Sequence, residues 1–309
     1  MAASRRDFLL RSAAVFAAAH SASAFAAPSA SPTSRPGIQM FMVAAAFRKD
    51  PAGTLAALAS IGYGYVEAFS MLTPDLGAFR RMVADAGLAV PVGHFPFGTA
   101  PTEKVLDDAN TLGVHYAISS ILPPHPPTGS DFSSTLNRMN NLTADDFKRM
   151  ADLANQIGES ASKRGLAYAY HNHNFEFRRP SGPNGPSGYE ILLRETNPRF
   201  VHFEVDAGWM AAAGANPAAI IAAHPDRVRL LHFKDFSTIT PPIDQLGGAA
   251  GAHIVDLGTG VVPLRAAYRA ARKAGVRYFL VDHDPPFHGQ TVIEAARSDF
   301  RFVSGLMAS

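Results

Sequence analysis

From Ile38 onward one pattern recurs along the chain: an amphipathic stretch, a glycine, then a short run of β-branched or aromatic residues. "ASIGYGYVEAF", "ADAGLAVPVGHF", "NTLGVHYAISSIL", "SKRGLAYAYHNH" and "RKAGVRYFLVDHD" all carry it. Gly62, Gly87, Gly113, Gly165 and Gly275 stand where a helix would end in a left-handed cap, and a strand follows within a residue or two. In two further units Asn197-Pro198 and His224-Pro225 stop the helix instead, ahead of "FVHFEVDAGWM" and "VRLLHFKDF". The runs predict eight strands, near 38–45, 64–69, 89–95, 115–121, 167–173, 200–206, 228–234 and 277–282. Helices are predicted near 51–61, 74–86, 102–112, 143–164, 188–196, 216–223, 262–274 and 290–306, with starts at Asp50-Pro51 and at Thr143 to Asp146.

Eight alternating units in about 270 residues is the count and size of a (β/α)8 TIM barrel. A doubly wound open sheet is the alternative, but Gly258-Thr259-Gly260 lacks the spacing of a dinucleotide-binding loop. Two loops are long, 123–142 and 236–260, and both follow strand ends, the face where barrel enzymes build their sites.

The N-terminus reads differently. Arg5-Arg6, an Ala-rich apolar stretch and Ala24-Phe25-Ala26 have the order of an export signal cut after Ala26, and the arginine pair before Asp-Phe-Leu resembles a Tat-type signal. An ordinary Sec signal is the alternative. The apolar stretch is too short and too alanine-rich for a membrane-spanning helix. The expected organisation is therefore a signal at 1–26, a Pro/Ser-rich linker at 27–37 and a catalytic barrel at 38–309, working in the periplasm.

This division changes the charge argument. Of 28 basic and 26 acidic residues, three arginines and one aspartate fall in 1–26, so the mature chain carries 25 of each. A pI of 8.9 thus owes much to the signal, and a basic nucleic-acid surface has no support. There is no cysteine, so a metal would be held by His and carboxylate alone.

Polar residues collect at the C-terminal ends of the predicted strands, where a parallel barrel should read as continuous apolar runs. Glu67 and His94 stand near the ends of strands two and three. Four sets then recur at two-residue spacing, which puts their members on one face: His171/His173, His202/Glu204/Asp206, His232/Lys234 and Asp282/Asp284. Each has a bland reading: a solvated strand-end histidine, a helix cap at Asp206, a surface pair Lys234-Asp235, a packing residue at Trp209. None of these predicts their coincidence at the same end of adjacent strands. Such a nitrogen and oxygen set suits Mn²⁺, Zn²⁺, Co²⁺ or Mg²⁺.

At these residues the chain resembles the xylose-isomerase-like TIM barrels, the sugar and sugar-phosphate isomerase/epimerase family with its inosose and dehydroshikimate dehydratase relatives. The resemblance spans roughly residues 38 to 306. It rests on "YVEAF" at 65–69, "HNHNFEF" at 171–177, "EVDAGWM" at 204–210, "HFKDF" at 232–236, "DLGTG" at 256–260 and "VDHD" at 281–284. It implies one divalent metal ion held at four strand ends by Glu, Asp, His and Glu. The Asp falls on Asp206 and the His on His232, while His171 and Asp282 stand at or beside the two glutamates. The family's glutamates also act as paired acid and base, so these two departures bear on the chemistry.

The expected metal set is therefore His171, Asp206, His232 and Asp282. His173, Glu176 and Lys234 are the acid/base or oxyanion-stabilising candidates, and Glu67, His94 and Trp209 the expected sugar contacts. The resemblance implies proton abstraction next to a carbonyl, hence a sugar isomerase or epimerase. A lyase or dehydratase on a keto-sugar or keto-glycoside is the first rival, and a non-catalytic periplasmic sugar-binding protein the second. A nuclease related to endonuclease IV is disfavoured by export and by the charge balance. The partner is a small-molecule sugar or keto-sugar, not nucleic acid; monomer and homo-oligomer are both left open.

Overall fold

Eight parallel strands close on themselves in the computed structural model, which describes residues 34–124, 132–247 and 253–309. The expected signal at 1–26 and most of the expected linker lie outside the described residues. The barrel strands are β1 (Gly37–Gln39), β2 (Tyr65–Phe69), β3 (Ala89–His94), β4 (Tyr116–Ser119), β5 (Ala167–His171), β6 (Val201–Asp206), β7 (Val228–Phe233) and β10 (Tyr278–Val281). Each pairs in parallel with its sequence neighbour in the barrel, and β1 closes the ring against β10. A small antiparallel ribbon, β8 (Asp235–Phe236) with β9 (Ile254–Val255), sits beyond β7.

The helices are α1 (Ala44–Lys49), α2 (Pro51–Ile61), α3 (Leu76–Asp85), α4 (Thr102–Leu112), α5 (Phe132–Met139), α6 (Ala144–Lys163), α7 (Gly188–Glu195), α8 (Ala207–Ala212), α9 (Pro217–Ala223), α10 (Leu264–Lys273) and α11 (Val292–Met307). Their ends follow local chemistry. Thr143 and Asp146 form a reciprocal capping box at the start of α6, and Asp50 accepts the Gly53 N–H ahead of Pro51 in α2. The five glycines expected at helix ends all adopt positive φ, between +75° and +120°. No helix among the described residues is long and apolar enough to cross a membrane.

Three local expectations change. The first strand, expected at 38–45, stops at Gln39, and the alanine run from Ala44 turns helical instead. Asp206 ends β6 as expected and at once caps α8, a short helix ahead of the one expected at 216–223. The two long loops carry structure of their own, α5 in one and the β8–β9 ribbon in the other.

Packing divides into two layers. The larger core lies between strands and helices, with Leu55, Phe79, Leu106, Ile157, Ile221 and Ala267 all buried against outward strand residues. A second cluster fills the barrel interior: Tyr65, Val92, Ile118, Ala169, Leu230, Tyr278 and Leu280. This inner plug is a packed floor, as the interior of an eight-stranded barrel must be.

One buried carboxylate organises the loop above β7. Asp235 is not in a surface pair with Lys234. Its Oδ1 accepts the N–H groups of Phe236 and Val262, and its Oδ2 those of Gly258 and Gly260. Alternate N–H groups of "DLGTG", those of Gly258 and Gly260, thus converge on one side chain, and Gly260 is required because a Cβ there would collide with Asp235. Asp235→Ala would leave these donors unsatisfied and is expected to cost about 3 kcal/mol or more. Asp235→Asn keeps one acceptor oxygen and should cost less. Urea denaturation of both variants checks the ranking, and equal losses would contradict it.

Candidate active site

Two residues past each apolar floor residue, the same strand faces turn polar. Val92 is followed by His94, Ala169 by His171, Leu230 by His232 and Leu280 by Asp282. The imidazoles of His94 and His232 lie 5.9 Å apart and nearly parallel, although β3 and β7 are not neighbours. Side chains from such strands can meet only by crossing the barrel, so this face points inward.

The first polar layer is a closed network of charge. Glu67 Oε2 lies 2.7 Å from His232 Nε2, and Gln39 Nε2 donates to the same oxygen at 2.6 Å. Glu204 Oε2 lies 2.9 Å from both His94 Nε2 and His171 Nδ1, and Glu204 Oε1 is 3.2 Å from His232 Nε2. Glu67, Glu204 and His232 are wholly buried. Burial alone would neutralise the carboxyls, but His94 and His232 hold Glu67 down to about 2, and His232 with the bond from His171 holds Glu204 down to about 2. Burial likewise opposes charge on His94, yet Glu67 and the bond to Glu204 outweigh it and push His94 up to about 10. His232 is pushed up for the same reason. His171 goes the other way, because burial and two neighbouring cations exceed the help from Glu204.

Directly above lies a second set. His171, Asp206, His232 and Asp282 each offer an atom within 4.8 Å of the others, and all four are buried. Asp206 Oδ1 accepts the Trp209 N–H at 2.8 Å, while Oδ2 is buried with no hydrogen-bond partner among the described residues. The helix-cap reading of this residue therefore holds for one oxygen, and the other is left without a hydrogen-bond partner among the described residues. Burial and the nearby Asp282 push Asp206 up to about 7; Lys234 and His232 pull Asp282 down. Lys234 is buried, with Nζ 3.1 Å from Asp282 and 2.7 Å from Asp284, and it lies 5.5 Å from the Trp209 ring. Gly208 permits this approach, since a Cβ there would run into the Lys234 backbone.

Two imidazoles and two carboxylates, with an orphaned carboxylate oxygen aimed among them, fit a divalent cation of the Mn²⁺ or Zn²⁺ kind in charge and donor type. A second group, His94, His171, Glu204 and His232, also satisfies simple ligand spacing, and the two groups share both central histidines.

The mouth opens into a cavity of about 430 Å³. Its floor includes His94, His171, Asp282 and Asp284, and its walls include Phe41, Phe69, Phe95, Phe97 and Trp209. Of the expected sugar contacts, His94 and Trp209 line this space. Glu67 does not; it is buried beneath, in ionic contact with His94 and His232. Of the expected acid/base groups, His173 lines the cavity, with its Nδ1 lacking a partner. Lys234 reaches the cavity rim through Asp282 and Asp284.

Glu176 corrects the sequence reading. It is wholly buried and bonded to Tyr170, whose neighbours His171 and Ala169 face the barrel interior, so Tyr170 faces out. The carboxyl accepts from Tyr170 Oη at 2.8 Å and from the His173 N–H at 3.0 Å, and so holds the His173 loop from behind. His202 is likewise remote, lying against Tyr116 at the other end of the barrel. Sequence reasoning left out Glu204, although the two-residue spacing from Asp206 marked it, and Asn172, whose side chain bonds both the N–H and the C=O of Asp206.

With this geometry in place, the family is defined. A family model described as "Xylose isomerase-like TIM barrel" matches residues 55–298, and the chain belongs to that family. It is 31% identical over 94 residues to an inosose dehydratase of Bacillus licheniformis, a match covering 30% of each chain. That segment thus spans less than a third of the curated relative. A sugar phosphate isomerase/epimerase from Parabacteroides distasonis superposes with a TM-score of 0.70 at 22% identity, covering 89% of this chain and 95% of that one. A protein named IOLI, solved with a zinc atom, superposes at 0.58 with 15% identity, covering 89% and 98%. The class is thus an enzyme family of the sugar isomerase, epimerase and dehydratase kind.

Burial pushes the Glu176 carboxyl from 4.5 up to about 8. The folded chain therefore keeps this proton where the unfolded chain has lost it. Its contribution is present in full below the unfolded value and is lost as pH rises towards about 8. Glu176→Gln should remove that component, so its stability should fall less between pH 5 and 8 than the wild type's. Denaturant midpoints across this range check it; parallel curves would contradict it.

Proposed function

We propose that this protein abstracts a proton next to the carbonyl of an uncharged sugar, with His171, Asp206, His232 and Asp282 holding one divalent metal ion. The observation that carries this reading is the buried, unpartnered Oδ2 of Asp206 among two imidazoles and a second carboxylate. When bound, the cation would act as a Lewis acid on the carbonyl oxygen and stabilise the enediolate.

The chain's own groups divide the remaining work. Burial, with Lys234 nearby, holds His173 down to about 3, so its imidazole is neutral and weakly basic; its unpartnered Nδ1 lone pair takes the α-proton once the developing oxyanion beside it raises its basicity. Lys234, kept charged by Asp282 and Asp284, supplies a cation beside the developing oxyanion. Trp209 and the phenylalanines offer flat apolar faces to sugar C–H bonds. Among the described residues lining the cavity, Arg138 and the histidines are the only basic ones, while Asp282 and Asp284 are acidic, which favours a sugar without phosphate.

Return of the proton to the other face gives an isomer or epimer. The second reading, loss of a β-substituent as in a dehydratase or lyase, is favoured by position 171. A histidine there replaces one carboxylate of the two-base epimerase pattern and leaves a single neutral base, and the curated relative named above is a dehydratase. Export through the Arg5-Arg6 signal to the periplasm is part of the same proposal, supported by the residue order of 1–26 alone.

Metal-loaded protein incubated with keto-sugars and keto-glycosides should give either a product of unchanged mass or one lighter by water or an aglycone. Asp206→Ala and His232→Ala should each lower turnover at least about 100-fold and lose the ion. Full turnover in both variants, or turnover unaffected by chelation, would overturn the assignment.

A further inference from the structure

Position 171 presents a puzzle of charge. A glutamate ligand there would bring a negative charge, and histidine brings none. The structure places a carboxylate one layer down. Glu204 Oε2 is 2.9 Å from His171 Nδ1, and Glu204 Oε1 is 3.2 Å from His232 Nε2. One side chain therefore touches two members of the metal set, each at a single ring nitrogen.

We propose that Glu204 is a positioning residue that fixes His171 as a metal ligand and returns, through the His171 ring, the negative charge that histidine lacks. The proposal rests on the metal reading above. An ionised carboxylate only accepts, so His171 Nδ1 carries the hydrogen and Nε2 keeps the lone pair. His232 is held differently: its Nδ1 hydrogen-bonds Asp282 Oδ2 at 3.1 Å, while Nε2 lies 2.7 Å from Glu67 Oε2 and 3.2 Å from Glu204 Oε1 without hydrogen-bond geometry. His171 is thereby set to bind through Nε2. A carboxylate behind an imidazole raises its basicity and fixes its orientation, at a typical cost of about 10–100-fold in metal affinity when removed.

His94 completes the arrangement. Its Nε2 is 2.9 Å from Glu204 Oε2 and 3.4 Å from Glu67 Oε1, so it joins the two carboxylates. The wholly buried layer beneath the metal set thus has a purpose besides filling the barrel.

Cobalt supplies the test, because its visible absorption reports the ligand field without turnover. Wild-type protein should take up one Co²⁺. Glu204→Gln, which keeps shape and loses charge, should still bind one, about 10–100-fold more weakly and with shifted absorption bands. Identical affinity and spectrum would overturn the proposal. So would loss of binding in Glu204→Gln with full binding in Asp206→Asn, which would make Glu204 a direct ligand. Failure of the wild type to bind Co²⁺ or Zn²⁺ would instead sink the metal reading, and this proposal with it. Histidine nitrogen NMR of zinc-loaded wild type needs no variant: coordination through His171 Nε2 is expected, and coordination through His171 Nδ1 would overturn it.

Discussion

A closed parallel barrel has no edge and little room, and every inward side chain must find its partner across the same narrow space. Two glutamates placed in that space have to be neutralised there. Here Glu67 and Glu204 are neutralised by the imidazoles of His94 and His232, in a layer laid directly on an apolar floor. Such a layer is a poor way to gain stability, since well-packed apolar groups of similar volume often do as well or better. Its retention in the middle of the barrel is consistent with a scaffold shaped around the chemistry at the mouth above it.

The two faces of each strand divide the labour. Inward positions on β5, β6 and β7 supply His171, Glu204, Asp206 and His232, while their outward neighbours hold the backbone still. Asn172 grips both main-chain groups of Asp206, Asp235 gathers the loop after β9, and Glu176 backs the His173 turn. Neighbours one residue apart thus have unrelated tasks, as the period of the strand requires.

That same period explains what could be read in advance. Glycine caps and apolar runs identified eight strands and most helices, because each signal is local. Two-residue spacing likewise placed His171, Asp206, His232 and Asp282 on converging faces. The sequence could not order the layers by depth. Glu67 was expected at the sugar because it sits near a strand end, but β2 brings it beneath the cavity, within reach of His232 on β7, three places away around the barrel. Glu176 misled for a different reason: "HNHNFEF" leaves the strand after His171, and the short turn at 175–177 redirects the carboxyl to the outer face. Such a reversal depends on tertiary packing around Tyr170, which no local pattern encodes.

Asp206 is shared between two structures. With Oδ1 committed to the Trp209 N–H, only Oδ2 remains for the site, so the side chain can serve it through a single oxygen. Trp209, whose main-chain N–H it accepts, also lends its indole to the cavity wall. Whatever pulls on the free oxygen therefore pulls, through one rigid carboxylate, on the first turn of α8 and on the surface a substrate meets. Occupancy of the barrel mouth and the shape of its wall are mechanically one variable.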